Sequence, residues 1–241
     1  MLRAKLTTVK DILLYVIFPN SCFCCGEDLP FRDKNFLCKK CLTDVRPVKT
    51  ACKRCGAELK YGGAFCYNCR GQKAKSFDCS LIRSALSFSP PVRALVHKFK
   101  YARHKYLAGF FADFLAEEFK KEKMFTAVDL ITAVPLHGRK FKSRGYNQSE
   151  LLAKELSARI NIPYSFDVLK RIKNTKSQTK LSRAARRENI ENAFEGLGKV
   201  KGKTVLITDD VCTTGSTLEA CASALKKCGA KKVYALVLAR E

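Results

Sequence analysis

Two groups of residues in this 241-residue chain have the types and spacing to do chemistry. The first is four CxxC pairs, Cys22 with Cys25, Cys38 with Cys41, Cys52 with Cys55 and Cys66 with Cys69, with ten or twelve residues between successive pairs. A CxxC turn points two thiolates at one ion and tetrahedral Zn²⁺ takes two such turns, so four pairs supply two closed four-cysteine sites. With no position left for water or substrate, both zinc sites are expected to be structural. Gly26 and Gly56 follow the second cysteine of their pairs, where the turn needs a residue free of Cβ strain. Sequential pairing, Cys22, Cys25, Cys38 and Cys41 on one ion and Cys52, Cys55, Cys66 and Cys69 on the other, is favoured because short loops close at lower entropy. A crossed pairing uses the same units and stays open. Iron–sulfur ligation and disulfides are weaker readings of this spacing.

The second group is Val205 to Leu218, VLITDDVCTTGSTL. An apolar strand runs into two carboxylates, then a turn rich in Thr, Gly and Ser, then a helix. At the carboxyl end of a parallel strand such a turn presents backbone N–H groups beside a helix N-terminus, which is an anion site. Gly215 lets backbone approach a phosphate closely, and Thr213, Thr214, Ser216 and Thr217 add hydroxyl donors. Asp209 and Asp210 would repel that phosphate, so they are expected to face neutral hydroxyls or a metal ion further along the same ligand. A ribose 5-phosphate fits this order of donors and acceptors. The segment is neither a Walker loop nor a dinucleotide fingerprint, because GxxxxGK[ST] and GxGxxG are both absent.

These groups need elements to hold them. Beyond about residue 80 the cysteine turns give way to alternating helix and strand patterns. Leu107 to Lys121 reads as an amphipathic helix, Val128 to Val134 as a strand, and Leu151 to Ile160 as a helix, with Asn147 and Glu150 placed either to cap it from Gln148 or to contact substrate. Lys203 to Thr208 reads as a buried strand, Thr217 to Cys228 as a helix closed by Gly229, and Lys232 to Leu238 as a last strand. This alternation predicts a parallel sheet with helices on both faces. Domain boundaries are expected at 1–20 for an N-terminal amphipathic helix, 21–75 for the metal module and 80–241 for the α/β domain.

Composition narrows the partners. Forty-six basic against 22 acidic residues leave a formal charge of +24, which points to polyanions such as nucleic acid or phosphorylated ligands. Two zinc ions on eight thiolates would lower it only to about +20. Lys170 to Arg187 holds eight basic residues and no acidic one. It can close over a phosphorylated ligand, track a nucleic-acid backbone, or be a solvated face. His97 to Tyr106 interleaves bases with aromatics, as a single-strand platform does, but equally as a connector with Phe99 and Tyr106 buried. His97, His104 and His137 share no metal spacing. Of the thirteen cysteines, Cys24, Cys79, Cys212, Cys221 and Cys228 remain as small buried hydrophobes or incidental thiols. The seven-residue apolar run Ile12 to Phe18 imitates a signal peptide core but follows Asp11 and ends in Pro19 and Asn20 without a small-residue cleavage site, and no stretch elsewhere approaches a membrane span. A cytoplasmic protein without stable membrane insertion is therefore expected.

The segment Asp209-Asp210-Val211-Cys212-Thr213-Thr214-Gly215-Ser216-Thr217 resembles the phosphoribosyl pyrophosphate loop of type I phosphoribosyltransferases. Over nearly its whole length the chain resembles one branch of that superfamily, the ComF family. The resemblance is carried by Phe18-Pro19 leading into Cys22 and Cys25, the double zinc ribbon, Lys100-Tyr101, Val134-Pro135-Leu136-His137, Arg144-Gly145-Tyr146-Asn147-Gln148, Gln178 with Leu181, Arg186 with Asn189, and Ala193-Phe194. Cys212 departs from related loops, which more often carry an aliphatic or aromatic residue there, and this could make the loop oxidation-sensitive.

The resemblance implies an α/β type I phosphoribosyltransferase fold preceded by a small double zinc ribbon. It implies that Asp209 and Asp210 form the catalytic pair, holding the ribose 2′ and 3′ hydroxyls with Mg²⁺ nearby, while Thr213, Thr214, Gly215, Ser216 and Thr217 hold the 5′-phosphate. Pro135 to Arg139, with His137, would be the pyrophosphate loop, and Arg144 with the stretch Lys170 to Arg187 would neutralise the leaving group. The implied role is handling of single-stranded DNA in natural transformation, with phosphoribosyl pyrophosphate as ligand and other DNA-uptake or recombination proteins as partners. The alternative is an active transferase acting on a small nucleophile in nucleotide metabolism.

Overall fold

The computed structural model describes residues 20–30, 35–70, 77–173 and 192–241. The amphipathic pattern from Leu2 to Phe18, most of the basic stretch Lys170 to Arg187, and Gln178, Leu181, Arg186 and Asn189 lie outside the described residues.

The cysteine module is a structural repeat. Cys22 N–H donates to the Glu27 carbonyl at 2.8 Å and Gly26 N–H to the Cys22 carbonyl at 3.0 Å; in the second copy Cys52 N–H donates to Ala57 at 2.8 Å and Gly56 N–H to Cys52 at 3.0 Å. Both glycines are left-handed, Gly26 at φ +78° and Gly56 at φ +70°, as the turn requires. In the first copy the second cysteine pair begins a short helix, α1 (Lys39–Thr43), which buries Cys41.

Four parallel strands form the main sheet: β1 (Leu81–Ser87), β2 (Leu130–Ala133), β5 (Thr204–Cys212) and β6 (Lys232–Arg240), in the order β1-β6-β5-β2. A separate antiparallel pair joins β3 (Leu169–Arg171) to β4 (Phe194–Gly196). Between them run α2 (Pro90–Tyr101), α3 (Leu107–Lys121), α4 (Gly138–Arg144), α5 (Gln148–Ile160) and α6 (Ser216–Lys227). Helix α3 matches its sequence pattern end to end. Strand β5 is longer than the apolar run because it stays paired with β6 as far as Cys212 opposite Arg240, and so carries both carboxylates near the end of its ladder.

Each sheet face has its own core. On one, Phe99, Phe111, Leu115, Leu152 and Leu156 pack with Leu206, Leu236 and Leu238, and this core continues into Cys22, Leu29 and Leu37 of the ribbon. On the other, Leu218 and Leu225 of α6 pack with Val205, Ile207, Val233 and Val237, and Cys79, Cys212 and Cys221 fill it as small hydrophobes. The outer edge of β1 is covered by the ribbon: Ile82 N–H donates to Arg54 O at 3.3 Å, Val48 N–H to Ala85 O at 3.1 Å, and Ser87 N–H to Arg46 O at 2.9 Å. A free strand edge is thereby capped. Of the two aromatics expected to be buried in the His97–Tyr106 stretch, Phe99 is fully buried, whereas Tyr106 is 55% exposed. Its hydroxyl hydrogen-bonds His104 Nδ1, which holds the ring at the surface.

Candidate functional site

Strand β5 ends at Cys212, and Thr213 to Gly215 turn the chain into α6. Gly215 takes φ +85°, a backbone state that favours glycine. Thr214 Oγ1 lies 2.9 Å from Ser216 Oγ and accepts from Ser216 N–H at 3.3 Å, which holds the turn in shape. The result is a small hollow, open to solvent, whose lining includes Asp209, Cys212, Thr213, Thr214, Gly215 and Thr217. Hydroxyls, the start of a twelve-residue helix and its dipole favour an anion there.

The two carboxylates are held by three side chains from two elements. Ser149 Oγ donates to Asp209 Oδ1 at 2.6 Å, and Gln148 Nε2 donates to Asp210 Oδ2 at 3.3 Å, both from the first turn of α5. From the end of α2, the Lys100 ammonium lies 3.0 Å from Asp210 Oδ1. Burial, reinforced by the charge of Asp210, pushes the Asp209 carboxyl up to about 7, against the opposing pull of Ser149 and Lys100. Burial alone would lower Lys100, yet its bond to Asp210 leaves it raised.

Strand β2 lies parallel to β5, with Ala133 opposite Thr208, and Val134 N–H donates to Thr208 O at 3.0 Å. The segment from Pro135 to Arg139 therefore leaves the sheet beside the acid pair. His137 caps α4, its Nδ1 accepting from Arg139 N–H at 3.3 Å, so its observed role is structural. Arg139 is exposed at the start of that helix. Arg144, at its end, sits over the Tyr101 ring at 5.1 Å. Lys140 is lowered by burial first and then by the nearby charges of Arg171, Arg144 and Lys100. Four cations thus lie near one another, and two of them, Lys100 and Arg171, also feel the acid pair. Asn147 caps α5, accepting from Ser149 N–H at 3.2 Å, but Glu150 pairs with Lys154 at 2.7 Å.

Lys100, Gln148, Ser149 and Lys140 belong to this site and were given no role in it from sequence. Lys100 and Gln148 stand among the residues that carry the family resemblance, and Lys100 and Lys140 lie in the basic stretches 98–105 and 139–144 that the resemblance would place near the ligand site, without an individual role; Ser149 carried no signal. Cys212 corrects the expected oxidation sensitivity: it is buried, and burial pushes its thiol up to about 11, so the reactive thiolate is scarce.

In the ribbon, the sulfurs of Cys22, Cys25, Cys38 and Cys41 gather in one group and those of Cys52, Cys55, Cys66 and Cys69 in another, the members of each within 4.8 Å of one another. The pairing is sequential. Cys25 Sγ lies 3.8 Å from Cys38 Sγ and Cys55 Sγ 3.7 Å from Cys66 Sγ, close to the edge of a tetrahedron with Zn–S bonds of about 2.3 Å. The donor sets fit structural zinc.

Comparison with known proteins follows the same two blocks. The double zinc ribbon domain family matches residues 13–70, and the phosphoribosyl transferase domain family matches residues 147–241. Competence protein F of Haemophilus influenzae is 32% identical over 213 residues, covering 86% of this chain and 91% of that protein. This chain belongs to the ComF family. DNA utilization protein YhgH of Escherichia coli O157:H7 is 31% identical over 225 residues, covering 92% of this chain and 97% of that one. Competence protein ComFC of Streptococcus pneumoniae is 26% identical over 232 residues, covering 91% and 99%. As a ComF-family chain it joins a phosphoribosyltransferase-like α/β fold to a double zinc ribbon with two four-cysteine sites. Among the described residues, no helix is long and apolar enough to cross a membrane.

Proposed function

We propose that the hollow after β5 binds phosphoribosyl pyrophosphate with Mg²⁺, and that the protein serves DNA uptake by handling single-stranded DNA in the cytoplasm. The observation that carries the first part is the side-by-side exit of two loops from adjacent parallel strands. The Thr-rich turn after β5 and the cationic segment after β2 flank one carboxylate pair. In this reading Thr213 to Thr217 hold the 5′-phosphate, Asp209 and Asp210 hold the ribose hydroxyls, and Pro135, His137 and Arg139 form the pyrophosphate loop, with Arg144 and Lys140 beside it. Carboxylate oxygens suit a hard cation such as Mg²⁺, which when bound would offset pyrophosphate charge. Lys100 pairs with Asp210, and Ser149 orients Asp209.

The DNA part is supported by the +24 charge and by relatives whose names refer to competence and DNA utilization. Domain limits of 21–75 and 80–241 suit this division of labour, and other DNA-uptake or recombination proteins would be partners.

Calorimetry with phosphoribosyl pyrophosphate and Mg²⁺, repeated with single-stranded DNA present, tests the reading. Binding of both ligands with reciprocal coupling supports it. An unchanged isotherm for Asp209→Ala with Asp210→Ala overturns the sugar site, and DNA affinity insensitive to salt overturns the DNA part.

One observation favours a second reading, an active transferase on a small nucleophile. A carboxyl titrating at about 7 beside the hollow suits proton transfer near neutral pH. Pyrophosphate release that depends on added nucleophile, and is lost with Asp209→Asn, would establish it.

A further inference from the structure

The last residue of β6 touches both chemical centres. Arg240 Nη1 donates to the Cys55 carbonyl at 2.7 Å and to Cys212 Sγ at 3.1 Å. Cys55 belongs to the second four-cysteine group, and Cys212 lines the hollow after β5. We propose that Arg240 is a positioning residue that couples the second zinc knuckle to the phosphate loop, so that zinc at Cys52, Cys55, Cys66 and Cys69 and ligand in the hollow stabilise one another. The proposal rests on the phosphate-site reading above.

The surrounding packing leaves little slack for the two ends to move separately. Glu241 N–H donates to the Cys212 carbonyl at 3.0 Å, so the strand end beneath the loop is clamped from β6 as well. A Cβ on Gly215 would lie 4.0 Å from Arg240 Nη1 and 3.6 Å from Ile82 Cδ1. On the ribbon side, a Cβ on Gly56 would lie 2.7 Å from the Ile82 carbonyl. Knuckle, β1 and loop are thus in continuous contact, with the guanidinium as the polar bridge. Metal fixes the turn that carries the Cys55 carbonyl; that carbonyl and Cys212 share one nitrogen of a planar, preorganised fork. A shift at either end must lengthen one of the two bonds.

The first knuckle is attached elsewhere. Phe23 and Phe36 of that copy pack against His104, Tyr106 and Phe110, residues of the α2–α3 connection and of α3 rather than of β6 or the turn at Gly215. Coupling through Arg240 should therefore be confined to one of the two zinc sites. It also gives the departure at Cys212 a purpose: a sulfur at this position accepts from Arg240, which an aliphatic residue would not do.

The test uses the zinc-loaded full chain. Zinc release to a chelator is followed with a colorimetric indicator, with and without phosphoribosyl pyrophosphate and Mg²⁺, alongside calorimetry of the same ligand. In the native protein, one of two release phases is expected to slow about fivefold or more when ligand is bound, the lower end of usual coupling between sites. Arg240→Gln should abolish that slowing while two zinc ions per chain are still bound, and Arg240→Lys should restore part of it. Release unaffected by ligand, in native protein that calorimetry shows to bind it, overturns the coupling and leaves the functional reading standing. Slowing retained in Arg240→Gln overturns the role of Arg240. Absence of calorimetric binding by native protein overturns the functional reading and the coupling with it. Should Arg240→Gln fail to fold, Arg240→Lys and Cys212→Val provide the comparison, the latter deleting only the sulfur contact; full slowing in both then overturns the proposal.

Discussion

Lys100 and Asp210, far apart along the chain, form an ion pair of 3.0 Å in which the lysine side chain is 22% and the aspartate 7% exposed. Removing one partner leaves a largely buried charge without compensation. Breaking a buried pair in this way costs about 3–5 kcal/mol in general, and partial exposure of Lys100 lowers the expectation for Lys100→Met to about 2 kcal/mol. Denaturant unfolding should read that loss, and Lys100→Met combined with Asp210→Asn should recover most of it. A double variant as unstable as the sum of the singles would show that the two charges are not coupled.

Asp209 sets a pH dependence. Its carboxyl is raised to about 7 from an ordinary value of 3.8, mainly by burial. The folded state therefore binds this proton more tightly than the unfolded chain. The associated stability is fully present below the unfolded pKa and is lost as pH rises through about 7. Asp209→Asn should accordingly gain on the order of 1–2 kcal/mol relative to native protein at about pH 8, with less difference at about pH 4. If Asp209 contacts Mg²⁺ or sugar as a carboxylate, ligand binding tightens from about pH 6 to 8 and releases a proton. Calorimetry in buffers of different ionisation enthalpy reads that proton, and a flat profile would remove Asp209 from the ligand site.

The two knuckle glycines are predicted to behave differently. Both are left-handed, so alanine at either is strained by about 1 kcal/mol. Around Gly26 nothing lies within 4 Å of an added Cβ, whereas at Gly56 the Ile82 carbonyl lies at 2.7 Å. Gly56→Ala should therefore cost roughly 2 kcal/mol more than Gly26→Ala in thermal or denaturant unfolding. Equal losses would mean that the second knuckle is not seated on β1 as described.

At the turn after β5, Gly215→Ala meets only ordinary contacts, the nearest at 3.6 Å, but must keep φ +85°. Strain of about 1–2 kcal/mol is expected to open the turn locally, and to weaken phosphoribosyl pyrophosphate binding roughly tenfold with little change in melting temperature. Native affinity in that variant would argue against backbone approach at this residue.

Much of the site was readable because its signals are local. The CxxC spacing and the run from Val205 to Thr217 each contain their own geometry, so the four-cysteine sets and the turn into α6 follow from neighbours in sequence. Lys100 was not readable as a partner of Asp210, because only the packing of α2 against the sheet brings them together. Strand β1, LIRSALS, escaped for a related reason. Buried on both faces at Leu81, Ile82, Ala85 and Leu86, it lacks an alternating pattern, and its identity as a strand depends on β6 and on the ribbon that covers it. Helix α2 opens with Pro90 and Pro91, a favourable start whose meaning depends on the strand before it.

That covering of β1 has a bearing on how the protein behaves when starved of metal. The backbone groups of Ile82, Ala85 and Ser87 on the outer edge are satisfied by Arg54, Val48 and Arg46, segments whose shape depends on the knuckles. Stripping zinc would bare an apolar edge strand in an otherwise intact sheet, a template for pairing with a second molecule. Zinc would then guard solubility, and apo protein should accumulate as self-associated species before its α/β core melts.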